Sequence, residues 1–403
     1  MAGAPLLPVA EARARILAAL TLTDVETLQL AQTLNRVLAT DVIAQRTQPP
    51  ADLSAMDGYA LRASDAASVP ATLTLIGEAP AGGAYESEVK HGEAVRIFTG
   101  APVPDGADAV VIQEDTERIG ERVIIREAPR LGAHIRRIGI DFRKGDVGLQ
   151  KGRRLSPADI ALAASMNVPK IEVFKRPVIA FFSTGNELVH PGDAIKPNQI
   201  VSANNDGLAV LIEQAGGVPL NLGIVPDDLE AIRMAATSAR GRAQMLVTLG
   251  GASVGDHDLI QPALGNDGLA IDFWRIAMRP GKPLMFGHYG DMPMLGLPGN
   301  PVSALVCAWL FLNPAIARMQ GADATLKTTL AELASPLKAN DRREDYLRAK
   351  LEWRTGSLPL TTAYEMQDSS MLSALSGSDC LVIRPPHAPQ ASSGSQVEIL
   401  LLR

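Results

Sequence analysis

Cysteine is almost missing from this chain: Cys307 and Cys380 are the only two in 403 residues. Both sit in apolar surroundings and no Cys/His ligand cluster accompanies them, which argues against a disulfide framework and a zinc site and for a reducing compartment. Aromatic residues are scarce at 4%, and the net charge is −6. No Lys/Arg run is dense enough for a nucleic-acid stripe or a polybasic membrane patch, so an acidic chain that binds anions must use a few placed cations. No apolar run approaches the length of a membrane span, and no basic stretch followed by an apolar one opens the sequence. A cytoplasmic protein is expected, with neither nucleic acid nor membrane as partner. Serine-elbow, Walker and dinucleotide G-x-G-x-x-G motifs are missing too, which removes the common routes to covalent serine, P-loop and dinucleotide chemistry.

What the chain does have is length and punctuation. At 403 residues, with 35 glycines and 28 prolines, it exceeds one ordinary core and calls for several domains. Helix-like patterns at 8–20 and 28–38 predict an N-terminal helical and linker segment spanning 1–50, completed by 146–176. There Ser156-Pro157 opens a further helix. Between them, alternating segments at 71–77, 93–98, 109–113 and 122–126 predict an inserted β-rich domain over 51–145. From Pro177 to 324 the rhythm becomes strand, loop, helix, which predicts a doubly wound α/β domain. Its expected strands are 178–182, 219–225, 245–249, 272–277, 284–286 and 292–295. The expected helices are 206–214, 229–239 and 302–319. Strands near 347–353, 358–363, 380–384 and 397–402 predict a small C-terminal β domain, a barrel, over 325–403.

Several strands of the α/β domain run into Gly/Pro loops, and such loops at strand ends are where phosphorylated ligands meet backbone amides. In Gly250-Gly251-Ala252-Ser253-Val254-Gly255-Asp256-His257-Asp258, the glycines admit close approach and Ser253 adds a hydroxyl. Asp258 is placed to hold Mg²⁺ beside bound phosphate. A plain strand-to-helix connection capped by Asp256 is the competing reading, and the recurrence of similar loops favours the site. Arg279-Pro280-Gly281-Lys282-Pro283 offers two cations on a stiff loop. Gly296-Leu297-Pro298-Gly299-Asn300-Pro301 starts a helix, with Asn300 at a capping position. Glu187 and Asp227 follow two further strands, where either is a surface acid or a cap, or where both join Asp258 as three carboxylates on one rim. His257 reads as a spacer.

In order, the strings SAMDGYA (54–60), FTGAPVP (98–104), RRIGIDF (136–142), STGNEL (183–188), GGASVGDHD, RPGKP and GLPGNPVSA resemble the MoeA family, to which the C-terminal domain of gephyrin also belongs. The resemblance implies an enzyme that takes adenylylated molybdopterin and molybdate, with Mg²⁺, and yields molybdenum cofactor and AMP. It also implies a homodimer with the site between the α/β domain of one subunit and the β-rich region of the other. Carried over motif by motif, the functional acids are Asp57, Asp141, Glu187, Asp227 and Asp258, with Thr99, Pro298 and Pro301 as further matched positions. Glu187, Asp227 and Asp258 are the expected metal set. Gly250, Gly251, Ser253, Arg279 and Lys282 are expected to bind the anionic substrate. The chain departs from the family pattern at Asn186, where Asp is usual, at Ile140, where Glu is common, and at Leu249–Ser253. Two rival readings stand beside this one: a molybdopterin adenylyltransferase, which the two β domains argue against, and a non-catalytic scaffold, which the retained acids argue against.

Overall fold

The computed structural model describes residues 6–251 and 259–402. Its centre is a six-stranded sheet in the order Val218–Val225, Val178–Thr184, Met245–Leu249, Met292–Leu297, Met285–Tyr289, Leu269–Trp274. The first four strands are parallel, and Met285–Tyr289 runs antiparallel to both of its neighbours. Successive side chains leave a strand on opposite faces, and here both faces are buried. Ile179 and Phe181 enter one core with Leu208, Leu211 and Ile212 of the helix Asn204–Gln214. Ala180 and Phe182 enter the other with Ile232 and Ala236 of the helix Leu229–Ala239. This is the doubly wound α/β arrangement that the strand–loop–helix rhythm predicts. From Val178–Thr184 the chain steps first to one side of the strand and then to the other, so a crevice opens at the carboxyl end.

The helix Pro301–Met319 has a mean hydropathy of 1.5, enough by length and composition to cross a membrane. It does not match the expectation that no segment would be so long and apolar. In the fold, 72% of it is buried inside the protein, and it forms the spine of the first core. A wider, π-type turn at Ala308–Leu312 precedes Pro314, which has no amide hydrogen to continue the regular ladder.

The segments flanking the inserted domain pair with each other: Val25–Gln29 with Lys170–Phe174, and Val42–Ile43 with Val147–Leu149. The helix expected over 28–38 is therefore replaced by a strand and a short 3₁₀ turn, Leu30–Gln32. Pairing with Lys170–Phe174 satisfies the strand backbone, and Asn35, at φ +62°, would break any helix there. The helix Val9–Ala18 packs Val9, Ala12 and Ile16 into the α/β core. Between these segments lies a curled six-stranded sheet, in the order Ala109–Ile112, Gly58–Leu61, Glu93–Ile97, Ala71–Ala79, Arg122–Ile125, Thr116–Ile119.

At the C-terminus, Thr328–Leu333, Glu344–Glu352, Leu360–Ala363, Cys380–Arg384 and Gln396–Leu401 close on themselves as a five-stranded barrel. Ala331, Leu333, Ala349, Val382 and Ile399 fill it. A sixth strand, Met278–Arg279 from the α/β domain, pairs in parallel with Glu344–Asp345 and ties the two domains together.

Candidate active site

Four parallel strands deliver their carboxyl-terminal loops to one cleft of about 1050 Å³. Glu187, Asp227, Gly250, Gly251, Arg279, Lys282, Pro298 and Pro301 all line it. The sequence separates the first of these from the last by more than a hundred residues; parallel strand pairing brings them together.

Asp227 is freed for the cleft by its neighbour. Asp228, not Asp227, caps the helix Leu229–Ala239, its Oδ1 accepting the Ala231 amide at 2.9 Å. Asp227 instead meets Asn186 reciprocally: the Asn186 amide donates to Asp227 Oδ2 at 3.2 Å, and the Asp227 amide donates to Asn186 Oδ1 at 3.1 Å. This latch fixes the loop carrying Glu187 against the loop carrying Asp227. Gly250 has φ +88°, and a side chain there would bring Cβ to 3.1 Å from the Thr184 carbonyl. Glycine therefore sets how closely these two strand ends can lie. The Gly250 amide donates to the Leu297 carbonyl at 3.1 Å, joining the glycine loop to the loop before Pro301.

Asn300 does not cap its helix through its side chain. Its Nδ2 donates to Ser369 Oγ at 2.9 Å, and the Val302 amide donates to the Ser369 carbonyl. The barrel thus supplies the far wall of the cleft with Arg343, Gln367, Asp368, Ser369 and Ser370. Arg348, almost wholly buried, pins this wall through Gln367 Oε1 at 3.2 Å and the Met371 carbonyl at 3.1 Å. Sequence reading missed the wall, as well as Asn204 and Ser303 on the opposite side. Their only signal, polar residues after a strand or in a helix's first turn, is shared by many surface segments.

The cations differ in what they can offer. Arg279 bonds Asp345 and lies 3.6 Å from Asp341, which Arg343 holds at 2.7 Å. The free charge that the sequence suggests for Arg279 is therefore already matched within the protein. Hydrogen bonds from Arg343 hold the Asp341 carboxyl well below its ordinary value. Burial pushes that of Asp345 up, against the pull of Arg279. Lys282 lines the cleft with no ion pair among the described residues.

Three predicted residues lie elsewhere on their own chain. Asp57 and Thr99 meet on the inserted domain, where the Thr99 amide and hydroxyl both donate to Asp57 Oδ1 at 2.7 Å. These bonds, the amide's first, hold the Asp57 carboxyl below its ordinary value. Asp141 lies in a bend on the segment returning from the insert, its amide donating to the Gln48 carbonyl at 3.1 Å. None of the three lines the cleft. Ser253 and Asp258, with Asp256 and His257, fall outside the described residues.

Glu187 and Asp227 suit Mg²⁺ as hard oxygen donors on one rim, since Mg²⁺ is commonly held by one or two carboxylates with substrate phosphate and water. Among the described residues no group of three His, Cys, Asp or Glu could enclose a metal. This donor set fits an open, substrate-completed magnesium site and not a closed structural one.

A doubly wound sheet with an acid-, amide- and lysine-lined crevice at its switch point defines an α/β enzyme for phosphorylated or oxyanionic ligands. Three family models match in succession: MoeA N-terminal region (domain I and II) over residues 7–167, the probable molybdopterin binding domain over 180–318, and MoeA C-terminal region (domain IV) over 331–402. The chain is 34% identical to a molybdopterin molybdenumtransferase of Haemophilus influenzae, with 98% of each chain covered. It is 35% identical to one from a Nostoc species, over 94% of this chain and 89% of the other. The crystal structure of a molybdopterin biosynthesis MoeA protein from Pyrococcus horikoshii OT3 matches with a TM-score of 0.86 at 29% identity, covering 98% of this chain and all of that one. The chain belongs to the MoeA family, whose enzymes act in molybdenum cofactor biosynthesis.

Proposed function

We propose that the protein inserts molybdenum from molybdate into adenylylated molybdopterin, with Mg²⁺-dependent release of AMP. The observation that carries this reading is the cleft itself: the carboxylates of Glu187, Asp227 and Asp368, glycine-bearing loops and a lysine with no ion pair among the described residues share one cavity of about 1050 Å³. That volume suits a pterin nucleotide better than an inorganic anion alone. Lys282 supplies a positive charge for phosphate or molybdate oxygens. Gly250 and Gly251 admit a phosphate close to the backbone, and Pro298 and Pro301 stiffen the loop beside them. Glu187 and Asp227, with Asp258 as the third acid the family pattern implies, would hold Mg²⁺. When bound, that ion would neutralise the bridging phosphates of the adenylate.

Asp57, Thr99 and Asp141 stand off the cleft of their own chain, beside the exposed apolar side chains of Met56, Ile138 and Ile140. This supports a homodimer in which one copy's inserted domain completes its partner's cleft. Two buried free thiols support a cytoplasmic setting.

Incubation with adenylylated molybdopterin tests the reaction. AMP is expected to appear only when molybdate and Mg²⁺ are both present. AMP release that ignores molybdate, or consumption of ATP with free molybdopterin, overturns the reading.

A further inference from the structure

Arg279 stands at the start of the loop that carries Lys282, and its surroundings give it a different task. The strand Met278–Arg279 runs in parallel register with Glu344–Asp345 of the barrel, and the Glu344 amide donates to the Ala277 carbonyl at 2.8 Å. The Arg279 guanidinium bonds one oxygen of Asp345. Asp345 is 3% exposed, and its other oxygen is buried without a hydrogen-bond partner among the described residues. Among the described residues, no other side chain bonds this carboxylate. Beneath the loop, Gly281 has φ +111°, and a Cβ there would lie 2.4 Å from Cys307 Sγ, so the loop rests directly on the core helix. Pro280 and Pro283 limit its remaining freedom. Fixed to the barrel at one end and seated on the core below, the loop holds Lys282 at the cleft.

We propose that Arg279 is a positioning residue: through Asp345 it locks the 279–283 loop to the barrel and so sets the place of Lys282, making no contact with the substrate itself. The barrel brings Arg343 and the 367–370 wall to the same cleft, so this clamp also fixes the distance between the lysine and that wall. Arg279 is itself half exposed, but removing it leaves the buried Asp345 carboxylate uncompensated, whereas neutralising both members removes that penalty. A residue that binds substrate directly behaves otherwise, because its loss is not repaired by changing its internal partner.

The inference rests on the reading of Lys282 as an anion ligand, and a double-mutant cycle separates the two. In the full-length protein, Arg279→Gln should lower the thermal midpoint and raise KM for adenylylated molybdopterin about tenfold, with kcat changed by less than about twofold. The double variant Arg279→Gln/Asp345→Asn should regain most of the midpoint and most of the KM. A double variant whose KM is no better than that of Arg279→Gln overturns the positioning role, and so does one whose midpoint is no better. The underlying reading fails separately, if Lys282→Ala keeps the unaltered KM.

Discussion

At the residue scale, the cleft shows why neighbours in sequence take different roles. Asp227 and Asp228 are adjacent, yet one caps a helix and the other faces the cavity. Sequence alone leaves that choice open, because strand-to-helix turns favour acids at both positions. Arg279 and Lys282 are three residues apart on one loop, yet among the described residues only the arginine meets a buried carboxylate. Nothing local announces it, since Asp345 arrives from a domain 66 positions further on. Asp57 and Thr99 were both legible as motif residues, and their contact across 42 positions was not. That contact predicts a titration: Asp57 stays ionised below the usual carboxylate range. Thr99→Val deletes the hydroxyl donor and keeps the backbone one, so the Asp57 pKa should rise part of the way to its ordinary value in a carbon-13 NMR titration. An unmoved pKa would show that the hydroxyl bond does not control this acid.

At the element scale, segments with strong local chemistry were readable and segments defined by their partners were not. The helix Pro157–Ser165 announces itself through Ser156 and Pro157, and it carries a complete capping box with Asp159. Asp159 is buried, which pushes its carboxyl up. The Ser156 amide and hydroxyl and the Arg153 guanidinium outweigh this, and the folded-state value lies below the ordinary one. A depressed carboxylate contributes stability that is complete above its unfolded value and disappears as pH falls through its folded value. Ser156→Ala should therefore cost about 1 kcal/mol in denaturant unfolding near neutral pH. The difference from the parent should shrink as the pH is taken below about 4. A loss that is equal at all pH values contradicts the assignment. By contrast, Val25–Gln29 takes its strand form from Lys170–Phe174, far along the chain, and its last two residues fall in the helix that local periodicity suggests over 28–38. The strand expected at 272–277 lies instead at Leu269–Trp274, because Arg275 turns to φ +71° and ends it.

At the scale of the whole molecule, the α/β sheet was legible because its apolar runs alternate with helices. The C-terminal barrel was legible too, from its run of short strands, but its role as the cleft's far wall depends on contacts that no local pattern encodes. Asp57 and Asp141 of the inserted region do not line the cleft of their own chain, and the proposed two-copy assembly would give them a use there. Subunit complementation is the most direct measurement. Asp57→Ala and Glu187→Ala homodimers, each inactive alone, are mixed under conditions that exchange subunits, and molybdate-dependent AMP release is followed. Half of a random mixture is heterodimer with one intact site of two, so about a quarter of the parent activity should return. A mixture as inactive as its components would contradict the shared cleft and, with it, the account of how this protein works.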